Sequence, residues 1–370
     1  MKRSFLWSCF LLLSLQYCNH KSNTENKAKD PFYTQIENSF PEMKTNSRGY
    51  VKQSVETASN QLTVDSAKGY LIAANRVDNS IQLFDEGGNN LLSTVGGEGR
   101  GPAEFKNISQ LHVGTDHALY ALDIILKRIT KFKIESRVLH YITSFTVKPE
   151  HNISLRDVFI TKDGNYGVFH RIDDYETREE SFHLYKLDDK FIPVKQLIEL
   201  PGNEKLKLDE NFYGDHYTGR NTYWALDGQW FFYISSQSPV VHKYNLRTGK
   251  LTTEQYFSLK ERANTQKRTK VLKDRFDALI KRFPSVAEAI EESESLPMFD
   301  NFLSSNNQLL FDVFYAGGDG GRVIFVDLET GDVTYIKTAS EFWRFALGDK
   351  MLYGIETRDD GPKIKMLNLN

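Results

Sequence analysis

The sequence predicts an all-β protein: a six-bladed β-propeller of four-stranded blades, with a helical insertion and a ring closed by an N-terminal strand. Three observations predict it. First, Arg322–Ile336 reads as a hairpin, in which Val323, Phe325 and Asp327 alternate with Ile324, Val326 and Leu328. Glu329-Thr330-Gly331-Asp332 then turns the chain and Val333–Ile336 runs back. Period-two alternation and β-branched residues around a short Gly/Asp turn define such a unit. Second, the unit recurs at the turns Lys68-Gly69, Asp116-His117, Asp163-Gly164, Asp227-Gly228, Asn306-Asn307 and Gly348-Asp349. Apart from two longer intervals the spacing is about 40–50 residues, the period of propeller blades. Third, each repeat supplies four strands except the last, which ends at Asn370, while Tyr50–Val55 lies unpartnered before the first. That strand is expected to complete the sixth blade and remove an open sheet edge. Hairpins stacked in a β-sandwich are the alternative, and six matched four-strand units argue against it.

The chain begins with a targeting segment, residues 1–18. Lys2 and Arg3 precede an apolar run from Phe5 to Leu15, too short for the roughly 20 residues of a membrane-spanning helix. Leu15-Gln16-Tyr17-Cys18 resembles the lipobox of bacterial lipoproteins, with Tyr17 where a small residue is usual. The resemblance implies lipidation at Cys18; an ordinary secretory signal is the alternative. Cys9 and Cys18 are the two cysteines of the chain, so the folded part is expected to hold neither disulfide nor reactive thiol. Residues 19–44 read as a flexible tether, polar from Asn19 to Asp30, and residues 45–370 as the propeller. Asn19-His20-Lys21-Ser22 lacks an acidic run, which favours the periplasmic side of an outer membrane over the cell surface.

The most distinctive short motif, Gly99-Arg100-Gly101-Pro102-Ala103-Glu104-Phe105, links the first blade to the second. It lacks the Gly-Lys-Ser/Thr of a phosphate loop and leads into a strand. Its glycines and Pro102 read as shaping a crossing between blades, with Arg100 free to reach a carboxylate over the channel. With Leu119-Tyr120-Ala121-Leu122-Asp123 and Lys127-Arg128-Ile129-Thr130-Lys131-Phe132, this loop resembles the six-bladed β-propeller lipoproteins of Bacteroidota, which are related in shape to NHL-repeat propellers. The resemblance covers roughly residues 50–370 and implies a fold and an envelope location more than a reaction.

The two long intervals are insertions. Pro201–Gly219 is a polar and aromatic loop. Leu259–Ser295 reads as helical, with capping boxes at Ser258/Glu261 and Ser285/Glu288, a break at Pro284, and an apolar stripe of Leu272, Phe276, Leu279, Ile280 and Phe283. Its first helix is basic, which on an exported protein reads as a solvated face and not as a nucleic-acid site. The net charge of −2 adds no global field. Loops that exceed what connectivity needs point to function.

No HExxH or other close ligand pair occurs among the histidines, and no G-x-S-x-G elbow marks a nucleophile. No metal site or cofactor is expected. Asp173-Asp174 and Asp359-Asp360 are the loop carboxylates that could serve a single calcium or other divalent ion, and they read more simply as solvated turns. Arg156 and Arg220 each precede an Asp-Gly turn by the same interval, which predicts equivalent positions facing the channel mouth. Together with Arg100, Tyr213 and His216 they form the expected ligand site under the helices. The leading expectation is a non-catalytic, monomeric binding module of the envelope, whose partner is a protein, peptide or glycan. One alternative is a metal-dependent propeller enzyme of lactonase or lyase type. Another is an assembly protein docking through Leu272–Phe283.

Overall fold

The structure, a computed structural model, describes residues 30–50, 59–75, 77–147, 153–173, 180–210, 212–315, 320–338, 342–348, 350–358 and 361–369. The expected targeting segment with Cys18, residues 19–29 of the expected tether, Asp174, Asp359 and Asp360 lie outside them.

Six four-stranded antiparallel sheets form the blades. Blade 1 comprises Ser59–Asp65, Tyr70–Asn75, Ser80–Asp85 and Leu91–Gly96, and blade 2 Ile108–Val113, Ala118–Asp123, Arg128–Glu135 and Val138–Thr146. Blade 3 comprises Ile153–Thr161, Gly164–Ile172, Glu180–Leu187 and Pro193–Pro201, and blade 4 Thr222–Asp227, Trp230–Ser235, Val241–Asn245 and Leu251–Glu254. Blade 5 comprises Phe299–Ser305, Gln308–Val313, Gly321–Asp327 and Val333–Thr338. Blade 6 takes Phe342–Leu347, Met351–Arg358 and Gly361–Leu369 from the C-terminus and Thr45–Tyr50 from the N-terminus.

The tight inner turns explain the punctuation of the sequence. Asn306 and Asn307 both take left-handed φ, at 53° and 57°, the conformation of a two-residue hairpin turn whose twist matches its strands. Apolar residues on both faces of each blade pack against the neighbouring blades. Six buried clusters therefore run around the ring, one at each junction. Between blades 1 and 2 lie Ile72, Leu83, Phe105, Leu119 and Phe132; between blades 6 and 1 lie Leu71, Phe84, Tyr353 and Ile364.

The closing strand is Thr45–Tyr50, paired Thr45↔Leu369 through Tyr50↔Lys365. Tyr50 belongs to it, as expected, but the strand lies N-terminal to the expected Tyr50–Val55, and residues 51–55 fall outside the described part. The expected strand had the stronger apolar alternation. The observed one is selected by its position in the chain, because the segment before it is anchored on blade 5.

That anchor replaces the later part of the expected tether. Pro31–Ser39 is a helix, α1, whose N-cap Asp30 accepts a hydrogen bond from Phe32 N. Phe32, Tyr33 and Ile36 are buried against Phe257, Phe299 and Phe311 of the blade 4–blade 5 junction. The Phe32 and Ile36 side chains each stabilise by about 1.5–3 kcal/mol when removed from water. Polar contacts fix the helix in place. Glu37 meets Arg322 of blade 5 at 2.6 Å, Asp30 meets Arg262 and Arg268 at 2.5 Å each, and Arg262 is fully buried beneath the rings of Phe32 and Tyr33. Beyond the helix Glu42 bridges to Tyr335 and pairs with Lys337 at 2.7 Å. Composition alone suggested a tether because the buried residues are few and their charged neighbours find partners only in the fold.

The second insertion holds three short helices: α2 (Gln266–Arg275), α3 (Asp277–Arg282) and α4 (Ser285–Glu292). Neither expected capping box forms. Thr265 caps α2 through Arg268 N, Arg262–Ala263 instead pairs with Ser295–Leu296, and Ser285 is the first residue of α4, its hydroxyl donating to Leu208 O. Strand pairing at the base of the insert displaces the start of the first helix.

Removing one partner of a buried ion pair leaves an uncompensated charge, at a cost of about 3–5 kcal/mol. Asp30→Ala strips both Arg262 and Arg268 of a carboxylate and should lower unfolding free energy by that order in urea titrations followed by tryptophan fluorescence. A loss under about 1 kcal/mol, the scale of an exposed pair, would show that α1 does not hold the insert.

Candidate functional site

Inner strands of the blades line the centre of the ring, and five of the six are irregular at their first turn of pairing. The register slips between Ser59 and Gln61, Ile108 and Gln110, Leu155 and Asp157, Phe299 and Asn301, and Phe342 and Phe345. Blade 4 pairs without a break from Thr222 to Asp227. A bulge inserts a residue and re-aims the side chains beside it. Here each bulge is followed by, or contains, a polar residue that lines a central channel of about 410 Å³: Gln61, Gln110, Asp157, Asn301 and Arg344. Blade 4 contributes Thr222, Tyr223 and Trp224.

The bulge in two blades is stitched by the polar residue itself. Asp157 accepts from Val158 N at 2.8 Å and Asn301 from Phe302 N at 2.9 Å. The other Asp157 oxygen accepts from the Trp224 indole at 3.1 Å. Burial pushes the Asp157 carboxyl up to about 7, against the opposing pull of these two donors. Arg344 is surrounded by protein, and the resulting desolvation lowers its pKa; its exposed surface opens onto the channel. Burial also pushes His112 down to about 4, so it is neutral at pH 7 and lies edge-on to Phe159. Its Nε2, with Thr222 Oγ1 and Ser304 Oγ, is a buried polar atom lining the channel that has no protein hydrogen-bond partner.

Above the channel the bulged residues of blades 3 and 5 carry charge. Arg156 meets His170 Nδ1 at 3.2 Å, His170 Nε2 pairs with Glu180, Glu180 meets Lys205 at 3.0 Å, and Lys205 meets Asp215 at 2.5 Å. Burial alone would raise the Glu180 carboxyl; His170 and Lys205 reverse that and hold it below the usual range. Burial lowers Arg156, with Asp215 and Glu180 opposing. On blade 5, Asp300 accepts from Tyr315 N at 3.2 Å and lies 3.8 Å from Arg275 at the end of α2. Burial raises its carboxyl despite that arginine.

The two insertions pack on each other. Leu208, Leu272, Phe276, Phe283, Val286 and Ile290 form one buried cluster with Phe314 of blade 5, and Phe212 stacks on Phe283. The apolar stripe expected for docking a partner is thus largely consumed within the cap: Leu272, Phe276 and Phe283 are buried. Gly202 starts the first insertion beside Glu180, where a β-carbon would lie 1.9 Å from the Glu180 carbonyl. A second cavity of about 440 Å³ lies between the hairpin and α4, lined by Glu204, His216, Thr218, Glu288 and Glu292 among others. No described residue of either insertion lines the central channel.

Of the five residues expected to form one site, the structure gathers four around the first insertion and leaves one apart. Arg156 joins the rim network. Tyr213 lies in the short hairpin Lys205–Lys207/Tyr213–Asp215, and His216 lines the second cavity, its pKa lowered by burial. Arg220 is exposed and precedes its strand, its backbone N–H donating to Glu204, so it is not equivalent to the bulged Arg156. Arg100 is exposed on the loop between blades 1 and 2, where Arg128 gathers the carbonyls of Arg100, Gly101 and Glu104. That loop crosses between the blades, but its left-handed residue is Ala103, at φ 59°, and not Gly99 or Gly101; Gly99 instead leaves room for the Glu104 carboxylate, which a β-carbon would meet at 1.9 Å. Counting back from the turns failed because bulges change the interval from turn to channel. The channel residues were missed for the same reason, although polar residues at the start of the inner strands, as in Ile108-Ser109-Gln110-Leu111, were a visible signal.

Among the described residues no group of three or more His, Cys, Asp or Glu side chains is placed to hold a metal, and no helix is long and apolar enough to cross a membrane. A family model described as a 6-bladed beta-propeller matches residues 52–282. No curated protein matches the chain. A solved structure of a candidate exported protein from Bacteroides fragilis superposes with a TM-score of 0.51 at 10% identity, covering 90% of this chain and 99% of that one. The structure of U3-55K gives 0.50 at 10% identity, covering 89% and 100%. Virginiamycin B lyase from Staphylococcus aureus gives 0.45 at 10% identity, covering 89% and 100%. At these identities the likeness is one of fold.

A carboxyl whose folded pKa lies above its unfolded value stabilises the fold at low pH. That contribution is lost as pH rises from the ordinary value of 3.8 through about 7. The Asp157 side chain faces the Trp224 indole and the Val158 N–H, and the other ionisable groups lining the channel are His112, Tyr223 and Arg344. Asp157→Asn should therefore flatten the fall in unfolding free energy between pH 4 and 7, measured by urea titration at each pH. An unchanged slope would mean the carboxyl is ionised across the range.

Proposed function

The chain belongs to the six-bladed β-propeller family, and from that premise we propose that it is a non-catalytic binding module of the cell envelope that takes a small polar ligand in its central channel. The observation that carries this reading is the ring of re-aimed polar side chains. Gln61, Gln110, Asp157, Asn301 and Arg344 come from five separate blades and line one channel of about 410 Å³. Small-molecule sites are concave, about 300–1,000 Å³, with a few convergent polar groups. Bulges are a recurrent device for aiming such groups. His112 Nε2, Thr222 Oγ1 and Ser304 Oγ add donors and acceptors that the protein itself leaves unmatched, and a ligand that pairs them recovers the cost of their burial.

The insertions serve as a rigid rim. Arg275 ties α2 to Asp300 beside the channel, and the Arg156–His170–Glu180–Lys205–Asp215 network ties the first insertion to blade 3. Arg156, Tyr213, His216 and Arg220 lie on this side of the ring and act, in this reading, on what approaches the entrance. Export and anchoring follow from the basic start, the apolar Phe5–Leu15 run and the lipobox-like Cys18. The tether ends where Asp30 locks into the fold, which would keep the ring within the reach of the 12 residues from Asn19 to Asp30.

Saturation-transfer NMR with a mixture of monosaccharides, sugar acids, amino acids and dicarboxylates should give signal for at least one class. Thr63→Trp, which fills the channel from blade 1, should remove that signal while leaving the circular dichroism unchanged. Signal that survives the plug would move the site away from the channel. Cys18→Ala should shift the protein from the membrane to the soluble exported fraction and abolish labelling by a fatty-acid analogue; retention at the membrane would refute the lipid anchor.

A further inference from the structure

The charges around the channel answer one another within the fold. Asp157 accepts from the Trp224 indole and the Val158 N–H. Asp300 accepts from Tyr315 N and lies 3.8 Å from Arg275. Arg344 and Asp312 each have interactions within the fold. The Tyr223 hydroxyl sits in the field of all of them, with Arg344 acting in one direction and Asp300 and Asp312 in the other. No described charge at the wall therefore waits for a counter-ion. A charged ligand would carry in a charge that the wall has no spare group to balance, and an unpaired charge costs far more to take out of water than a hydroxyl or an amide.

What the wall leaves to a ligand is neutral. Gln61, Gln110 and Asn301 are half-buried carboxamides from blades 1, 2 and 5, so they approach the channel from different sides. Gln61 and Gln110 can each donate and accept, as a ligand hydroxyl does. Asn301 commits its oxygen to the Phe302 N–H, which directs its amide hydrogens to an acceptor elsewhere. The half-buried Thr63 adds a hydroxyl on blade 1. On blade 4, Tyr223 and Trp224 supply aromatic surface on one side of the channel, suited to the C–H face of a saturated ring. A ring with hydroxyls around its edge and C–H groups on its face matches both parts of the wall. The volume of about 410 Å³ lies in the range of small-molecule sites.

We propose that the channel binds a neutral monosaccharide, with its hydroxyls on Gln61, Gln110 and Asn301 and one face of its ring against Tyr223 and Trp224. The proposal rests on the channel being the binding site and names the ligand class for it.

Titration calorimetry on the mature protein with D-glucose, D-galactose and N-acetyl-D-glucosamine tests it, with D-glucuronate and D-galacturonate as the charged matches and cyclohexanol as the ring with a single hydroxyl. At least one neutral sugar should bind at least tenfold more tightly than the acids and cyclohexanol. Raising the salt concentration tenfold should leave that affinity within twofold, because no ion pair with the ligand is there to be screened. Gln110→Leu should weaken binding at least tenfold at unchanged melting temperature. A uronate binding as tightly as its neutral match, no binding by any of the three neutral sugars, a steep loss of affinity on adding salt, or a Gln110→Leu variant with undiminished affinity would each overturn the assignment. Should Gln110→Leu unfold, the wild-type ranking of neutral sugar over acid decides alone. A charged ligand whose binding is removed by Thr63→Trp would overturn the neutral sugar and leave the channel reading standing; binding that ignores the plug would overturn both.

Discussion

Pairing of the first strand with the last is the interaction on which the rest depends. Thr45 meets Leu369 and Tyr50 meets Lys365 across the outer edge of blade 6, which turns a row of sheets into a ring. An open row would leave Leu71, Phe84 and Tyr353 at its ends without neighbours; in the ring they form the junction between blades 6 and 1. The channel exists only because that junction closes. Its walls are inner strands whose outer faces are already committed to neighbouring blades, so Gln61 and Arg344 come together across the same seam.

The segment before the closing strand has a second role. Its helix fills the blade 4–blade 5 junction with Tyr33 and Ile36, and its acidic residues reach outwards to three arginines: Arg262, Arg268 and Arg322. Two of these belong to the inserted cap and one to blade 5. Buried charges of this kind contribute little net stability but are costly to leave unpaired, so they specify where the helix sits. The same segment thus closes the ring, positions the cap and ends the connection to the N-terminus.

Much of the fold was legible because repetition is a local property. Alternation around Glu329-Thr330-Gly331-Asp332 marked a hairpin, and its relatives marked blades, each by turn chemistry confined to a few residues. The insertions were legible as interruptions of that period. Their internal detail was less so: Ser258 and Glu261 had the spacing of a capping box, yet the pairing of Arg262–Ala263 with Ser295–Leu296 claimed that stretch. Candidate site residues were harder still. Arg156 and Arg220 occupy matching places in a count from their turns, but a bulge intervenes in blade 3 and none in blade 4. The polar ring was present in the sequence as polar residues near the start of the inner strands, with no sign that five of them converge.

The sequence by itself determined the architecture, the number of strands per blade and where the repeat is interrupted, because each follows from alternation and turn residues that act over short range. Tertiary structure alone decided which N-terminal residues close the ring, that Asp30–Ser39 is packed and not free, and that the polar ring and not the longer loops lines the channel. Those outcomes depend on contacts between residues hundreds of positions apart, such as Asp30 with Arg268 and Glu37 with Arg322. No local pattern records such a partner; only the closed ring brings it within reach.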